Sequence, residues 1–290
     1  MRVLVTFPGR YGDILWALPA VRALSRWIGE PVDLAVAAKY RSICSLIEQQ
    51  PYIRWCEGLP WWEVQETAPM TPRIPQRSLN GSSLREDYDL ILDLGYRGWP
   101  QRPLPFETMD CLNEQLHAGA CGGYTVKVLP RLTDAALALD EPWITVAPWT
   151  HVPHPLVVGW SDEHFELKVG LTHLLAQTLR GPGSAFLLCS PGSRRETEEG
   201  QTPTDWIENA RRLAAAQVFL GCCSALHVLA VALGKPVVVM EPAEARWNDI
   251  FYPLGKTGRV HLVLGGDGKP TWDARHVKDA IEEALHAQVR

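Results

Sequence analysis

Short apolar runs alternate with helically spaced apolar positions along almost the whole of this chain. Residues 3–7 are an unbroken apolar and β-branched run, the pattern of a buried strand. Pro8 and Gly9 break it, and Gly12 adds a second flexible point. From Asp13 onward Leu15, Leu18, Val21 and Leu24 recur at helical spacing, so strand gives way to helix with Asp13 at the N-cap position. Residues 32–37 read as a second strand, and residues 41–49 as a helix with Ile43, Leu46 and Ile47 on one face. The span 60–83, rich in Pro, Thr, Ser, Gln and Arg, lacks periodicity and reads as a long surface loop. Residues 88–94 are the clearest strand of the first half, followed by a helix over 106–118 and a linker over 130–142.

The second half repeats the alternation. Strands are expected at 143–147, 185–189 and 218–220, and helices at 170–179 and 205–216, the latter with Trp206, Ala210 and Leu213 periodic. The stretch 221–239 reads as a small-residue turn, a helix ended by Gly234, and a further all-apolar strand. An amphipathic helix over 273–287 closes the chain. Such alternation implies an α/β fold with parallel sheets built from βαβ units. At 290 residues two domains are the simplest division, with residues 1–140 in the first and 141–290 in the second.

Composition narrows the function. A formal charge of −5 argues against a broad electrostatic surface for nucleic acid, though not against a local basic groove. The seven cysteines include no C-x-x-C pair and read as reduced thiols of a cytosolic protein. His151 and His154 lack a matching ligand set, so no metal site is expected. No apolar run is long enough to span a bilayer, and the first residues lack a signal-peptide pattern, so a cytoplasmic protein is expected. Twelve tryptophans, several beside Pro or Gly, provide aromatic walls at loops as well as core filling.

Two stretches carry chemistry. In the first, a carboxylate and unpaired helix amides stand at the carboxyl end of a first strand, where open α/β sheets bind ligands. Asp13 read on its own is a helix cap or a reacting group. In the second, a turn of small residues feeds a helix N-terminus, which suits a diphosphate. Ser190 and Ser193 after the strand at 185–189 leave amides free for an anion beside Arg194.

Gly12-Asp13, Leu18-Pro19-Ala20 and Arg22-Ala23-Leu24 resemble the opening of the heptosyltransferases, a family of lipopolysaccharide glycosyltransferases. Pro51-Tyr52-Ile53 and Ala232-Leu233-Gly234-Lys235-Pro236-Val237-Val238 with Ser224 resemble later segments of that family. The resemblance implies the glycosyltransferase B architecture, two Rossmann-like domains facing across a cleft. It implies Asp13 as catalytic base and Gly12 beside it at the donor. It further implies an inverting, metal-independent transfer from a nucleotide-diphosphate sugar, a co-substrate rather than a cofactor, to an acceptor hydroxyl. Donor or phosphate contacts then fall to Lys168, Ser190, Ser193, Arg194, Cys223, Ser224, Ala225, Leu226, His227 and Glu241. Acceptor contacts fall to Tyr96 and Arg97.

The sequence departs from the family in the second motif. Cys223 stands for an Asp, Ala225 for a Gly, and His227 falls one residue before the family's His. His227 therefore reads equally as a site residue or as a core or capping histidine. For Arg97 and Lys168 an exposed, solvated side chain is the alternative. The acceptor is left open among a glycan, a lipid-linked sugar and a nucleic acid such as DNA with modified bases. A nucleotide-sugar epimerase or hydrolase, and a non-catalytic sugar-nucleotide-binding protein, are the other readings compatible with these residues.

Overall fold

In the computed structural model, residues 1–59, 87–94, 102–117, 120–121, 124–125, 131–147, 156–160, 185–189, 205–222, 224–241, 260–264 and 273–286 are described. The chain divides into two compact units, Met1–Trp143 and Ile144–Arg290.

The first unit is built on a parallel sheet of β1 (Val3–Phe7), β2 (Val32–Ala37), β3 (Ile53–Leu59) and β4 (Leu90–Asp93), in the order β3-β2-β1-β4. β1 is central and wholly buried, as its apolar and β-branched run requires. Helix α1 (Tyr11–Ile28) follows β1, and Gly29, at φ 78°, ends it in the left-handed conformation that glycine adopts without penalty. A 3-10 helix (Ala38–Ile43) and the single-turn α2 (Cys44–Ile47) stand where one continuous helix was expected. The segment Ala38–Arg41 passes so close to β3 that a Cβ on Gly58 would lie 3.0 Å from the Ala38 Cα. Helix α3 (Leu104–His117) packs on α1, and a two-residue ladder of β5 (Ala120–Cys121) and β6 (Tyr124–Thr125) follows.

Arg22, on α1, is 5 % exposed. Its guanidinium donates to the carbonyls of Leu137 (2.9 Å), Ala138 (2.8 Å) and Pro142 (2.8 Å). These three bonds fasten the last segment of the unit to α1, with Ala138 held at φ 45°. Arg22→Ala leaves three carbonyls without their donor. Because each unsatisfied buried polar group costs about 1–3 kcal/mol, the variant should lose roughly 3 kcal/mol or more in urea unfolding. Arg22→Lys, with one ammonium for three acceptors, should recover only part of this. A loss below about 1 kcal/mol in Arg22→Ala would remove the clamp from the account.

Residues 143–147, expected as the opening strand of the second domain, form no strand. The side chain of Trp143 plugs the first unit instead. Its ring lies 5.7 Å from that of Trp16, and its indole N–H donates to the Leu15 carbonyl at 3.1 Å. Its own carbonyl accepts from the Tyr52 hydroxyl at 2.6 Å. The next amide, Ile144, goes to the Ala232 carbonyl rather than to a strand partner.

The second unit carries a five-stranded parallel sheet in the order β11-β10-β9-β7-β8. Its strands are β7 (Leu156–Trp160), β8 (Ala185–Cys189), β9 (Val218–Gly221), β10 (Val237–Glu241) and β11 (Val260–Leu264). Among its described residues β7, not the run at 143–147, is the first strand. Helix α4 (Trp206–Ala215) is capped by the Asp205 carboxylate, which accepts from the Glu208 amide at 2.6 Å. Helix α5 (Ala225–Ala232) joins β9 to β10, with Gly234 at φ 73° beyond its end. Helix α6 (Ala274–His286) lies on the β9–β11 side of the sheet. Residues 60–83 and 170–179 lie outside the described residues.

Candidate active site

Asp13 lies at the carboxyl edge of the first sheet, on the opening turn of α1. The helix starts three residues earlier than expected. Arg10 is its N-cap, Tyr11 and Gly12 occupy the first turn, and Asp13 is the third helical residue. Gly12 therefore does not separate turn from helix, because first-turn amides need no intrahelical partner and tolerate a glycine cheaply. The Asp13 carboxylate reaches back, and its Oδ2 accepts from the Arg10 amide at 3.1 Å. The side chain is half-buried, unlike the fully buried Ile14 and Leu15 beside it.

Gly9 allows this placement. A Cβ at Gly9 would overlap the Phe7 ring and stand 2.7 Å from the Asp13 Cβ. Only a residue without a side chain lets the β1–α1 turn fold this close to the carboxylate.

The neighbouring strand end supplies a wall that sequence reasoning missed. Tyr11 shares a 2.7 Å hydrogen bond with the Ser42 hydroxyl, and its ring meets that of Tyr40 edge-on at 4.7 Å. The Lys39 ammonium lies 5.8 Å from the Tyr40 ring centroid. The signal was present in the run Lys39-Tyr40-Arg41-Ser42, cationic, aromatic and hydroxylated residues directly after a buried strand.

One strand away on the other side, Asp93 ends β4 opposite Thr6. Its carboxylate is 4 % exposed and accepts from the Thr6 hydroxyl. Its backbone amide donates to the Gln115 side chain at 2.8 Å, and its carbonyl accepts from the same side chain. Burial pushes the Asp93 carboxyl up to about 6, against the lowering effect of the Thr6 hydroxyl. The neutral form is therefore favoured in the fold. The stabilisation this gives is fully present below the unfolded-state value near 4 and is lost as pH rises through about 6. Asp93→Asn should remove that loss, gaining roughly 2–3 kcal/mol over the parent between pH 4 and 7. Unfolding curves across that range check it, and parallel pH profiles for the two proteins would contradict it.

In the second motif Ser224 is the N-cap of α5, and Ala225 is its first residue; both are partly exposed. Leu226 is fully buried, so its side chain belongs to the core. His227 is 1 % exposed, and its Nδ1 accepts from the Ser224 amide at 2.8 Å. A neutral ring with Nδ1 as acceptor carries its proton on Nε2. The histidine thus works as a helix cap. Glu241 is the last residue of β10, at that sheet's carboxyl end. Lys168, Ser190, Ser193, Arg194, Cys223, Tyr96 and Arg97 lie outside the described residues.

Among the described residues no group of three or more potential ligands could hold a metal ion. The chain's Asp-x-Asp, Asp87-Tyr88-Asp89, precedes β4 at the amino edge of the sheet, where Asp89 accepts from the Arg2 amide at 2.6 Å. No described helix is long and apolar enough to cross a membrane.

No protein-family model matches this sequence, and no curated protein matches it. Solved structures do. The Escherichia coli heptosyltransferase WaaC, solved with ADP-2-deoxy-2-fluoro heptose, is 18 % identical with a TM-score of 0.58, over 98 % of this chain and 99 % of that one. The chain shares the fold of the heptosyltransferases. A family 9 glycosyl transferase from Veillonella parvula gives a TM-score of 0.59 at 12 % identity, covering 98 % of this chain and 97 % of that one. The E. coli ADP-heptose lipopolysaccharide heptosyltransferase II gives 0.55 at 16 % identity, covering each chain fully. The heptosyltransferase fold thus extends over both units and accounts for a parallel sheet in each.

Proposed function

We propose that this protein is a heptosyltransferase-like glycosyltransferase that moves a sugar from a nucleotide-diphosphate sugar to an acceptor hydroxyl, with inversion and without a metal. The observation that carries the reading is the half-buried Asp13 carboxylate, held over a glycine turn at the carboxyl edge of the first sheet, in a chain with the heptosyltransferase fold. The solved ADP and ADP-sugar complexes of WaaC support a nucleotide sugar as donor.

In this reading the donor lies mainly against the second domain, at the amides of the β9–α5 turn. Asp13 takes the proton of the acceptor hydroxyl as its oxygen attacks the anomeric carbon. The bond from that carbon to the diphosphate breaks, and the nucleoside diphosphate leaves. Helix N-terminal amides and the side chains of Lys168 and Arg194 offset the charge on the leaving group. The single Asp-x-Asp supports a metal-free route by its position, since it lies at the opposite edge of the sheet from Asp13. His227 contributes by fixing the turn rather than by moving a proton, as its Nδ1 is engaged by the Ser224 amide.

A thermal-shift panel of nucleoside diphosphates and their sugars tests the donor half. A ligand at about a hundred times its Kd stabilises the folded state by about 2.7 kcal/mol. At least one nucleoside diphosphate should therefore raise the melting point by several degrees. A flat response across adenine, uridine, guanine and thymidine diphosphates would reject the reading. Product analysis with the selected donor, with and without glycan, lipid-linked and DNA acceptors, separates transfer from hydrolysis or epimerisation.

A further inference from the structure

Two thiols of the first unit stand together outside the chemistry described above. Cys44 opens α2 and Cys56 lies on β3, twelve positions apart in the chain, with their sulfurs 3.0 Å from one another. Both are buried, at 8 % and 5 % exposure. The pair is held from both sides. The Cys56 amide donates to the Glu48 carboxylate at 3.0 Å, which ties β3 to the end of α2. Cys56 is also in register with Leu34 of β2. A disulfide needs the sulfurs at about 2.05 Å, about 1 Å closer than the 3.0 Å at which they stand.

We propose that Cys44 and Cys56 are an oxidisable dithiol, a covalent modification site that hydrogen peroxide converts to a disulfide bridging α2 and β3. In the first step the Cys44 sulfur attacks one peroxide oxygen. The O–O bond breaks, Cys44 becomes a sulfenic acid, and the other oxygen leaves as water. The Cys56 sulfur then attacks the Cys44 sulfur, the S–O bond breaks, and a second water leaves. Two thiols and one peroxide give one disulfide and two waters, with two electrons passing from sulfur to oxygen.

The environments assign the two roles. Burial, and then the neighbouring Cys44 thiol and the carboxylates of Glu48 and Glu57, push the Cys56 thiol up, so it is the poorer first nucleophile. Cys44, the more exposed of the two, attacks peroxide, and Cys56 resolves the product. The bridge closes the loop containing α2 and the turn into β3, which restricts the unfolded chain and raises the melting point. It also fastens the segment after Tyr40 and Ser42, whose side chains meet Tyr11 beside Asp13.

The test uses the full chain. The protein is treated with a modest excess of hydrogen peroxide, quenched with catalase, alkylated in denaturant and mapped by mass spectrometry without reduction. The expected product is a linked pair of peptides carrying Cys44 and Cys56, lighter by about 2 Da than the two thiols and released by dithiothreitol. The oxidised protein should melt several degrees higher than the reduced one. In Cys56→Ser, Cys44 should stop at the sulfenic acid and be trapped by dimedone. Recovery of both cysteines as alkylated thiols after the treatment would overturn the proposal. So would Cys44 linked to a cysteine other than Cys56.

Discussion

Asp13→Asn should lower sugar transfer by about 10²–10⁴-fold while leaving donor affinity within about twofold of the parent. The size follows from what a positioned base contributes, and the substitution suits the local geometry. Asn retains an oxygen that can accept from the Arg10 amide, the bond Asp13 makes at 3.1 Å, so the start of α1 should persist. What the variant loses is the charge and basicity of the second heteroatom. Circular dichroism and melting point should therefore match the parent, and the thermal response to the donor should survive. Turnover within about threefold of the parent would remove Asp13 from the base role, whatever donor is used.

Gly9→Ala should be the second largest effect, and it acts through the same carboxylate. The new methyl would overlap the Phe7 ring and lie 2.7 Å from the Asp13 Cβ, so ring, carboxylate or turn must move. Phe7 is fully buried in the central strand and has little room to shift, which directs the displacement toward Asp13. Overpacking of this kind costs about 1–3 kcal/mol. A displacement of about 1 Å in a reacting group costs roughly a hundredfold in rate. The variant should fold with a lowered melting point and lose at least about tenfold in kcat. Gly29→Ala is the control. Its Cβ meets nothing within 4 Å, but φ 78° is unfavourable to alanine. That variant should lose about 1 kcal/mol of stability with unchanged turnover. Equal kinetic effects at Gly9 and Gly29 would show that the turn does not position Asp13.

Much of the fold was legible because its strands are buried on both faces. Residues 3–7 and 32–37 are mostly apolar runs, interrupted only by Thr6 and Asp33, and they form strands with those limits. Asp205 and Gly234 mark helix ends by chemistry that operates locally, a carboxylate cap and a left-handed terminus. The run at 143–147 misled because periodicity records burial, not the means of burial. Trp143 is buried by a single plug into α1 and Tyr52, contacts far away in sequence, while the similar run at 156–160 forms the strand. β3 went unread because its burial is interrupted, with Arg54 exposed and bound to Asp33 on β2.

The site was legible at Asp13 and less so around it. Gly-Asp after a strand is a local pattern. The Tyr11–Ser42 bond, the Asp93–Thr6 pair and the Cys44–Cys56 contact depend on strand order and register, which no local pattern encodes. The N-cap assignment missed by three residues because Asp serves equally at the cap and at the third helical position, where it closes the capping box.

The proposed transfer is a direct displacement at the anomeric carbon by an oxygen that Asp13 deprotonates. Proton NMR of the product formed from the donor that the thermal screen selects measures this most directly, through the anomeric coupling constant. An α-linked donor should give a β-linked product, and a β-linked donor an α-linked one. A product that retains the donor's configuration would contradict the account.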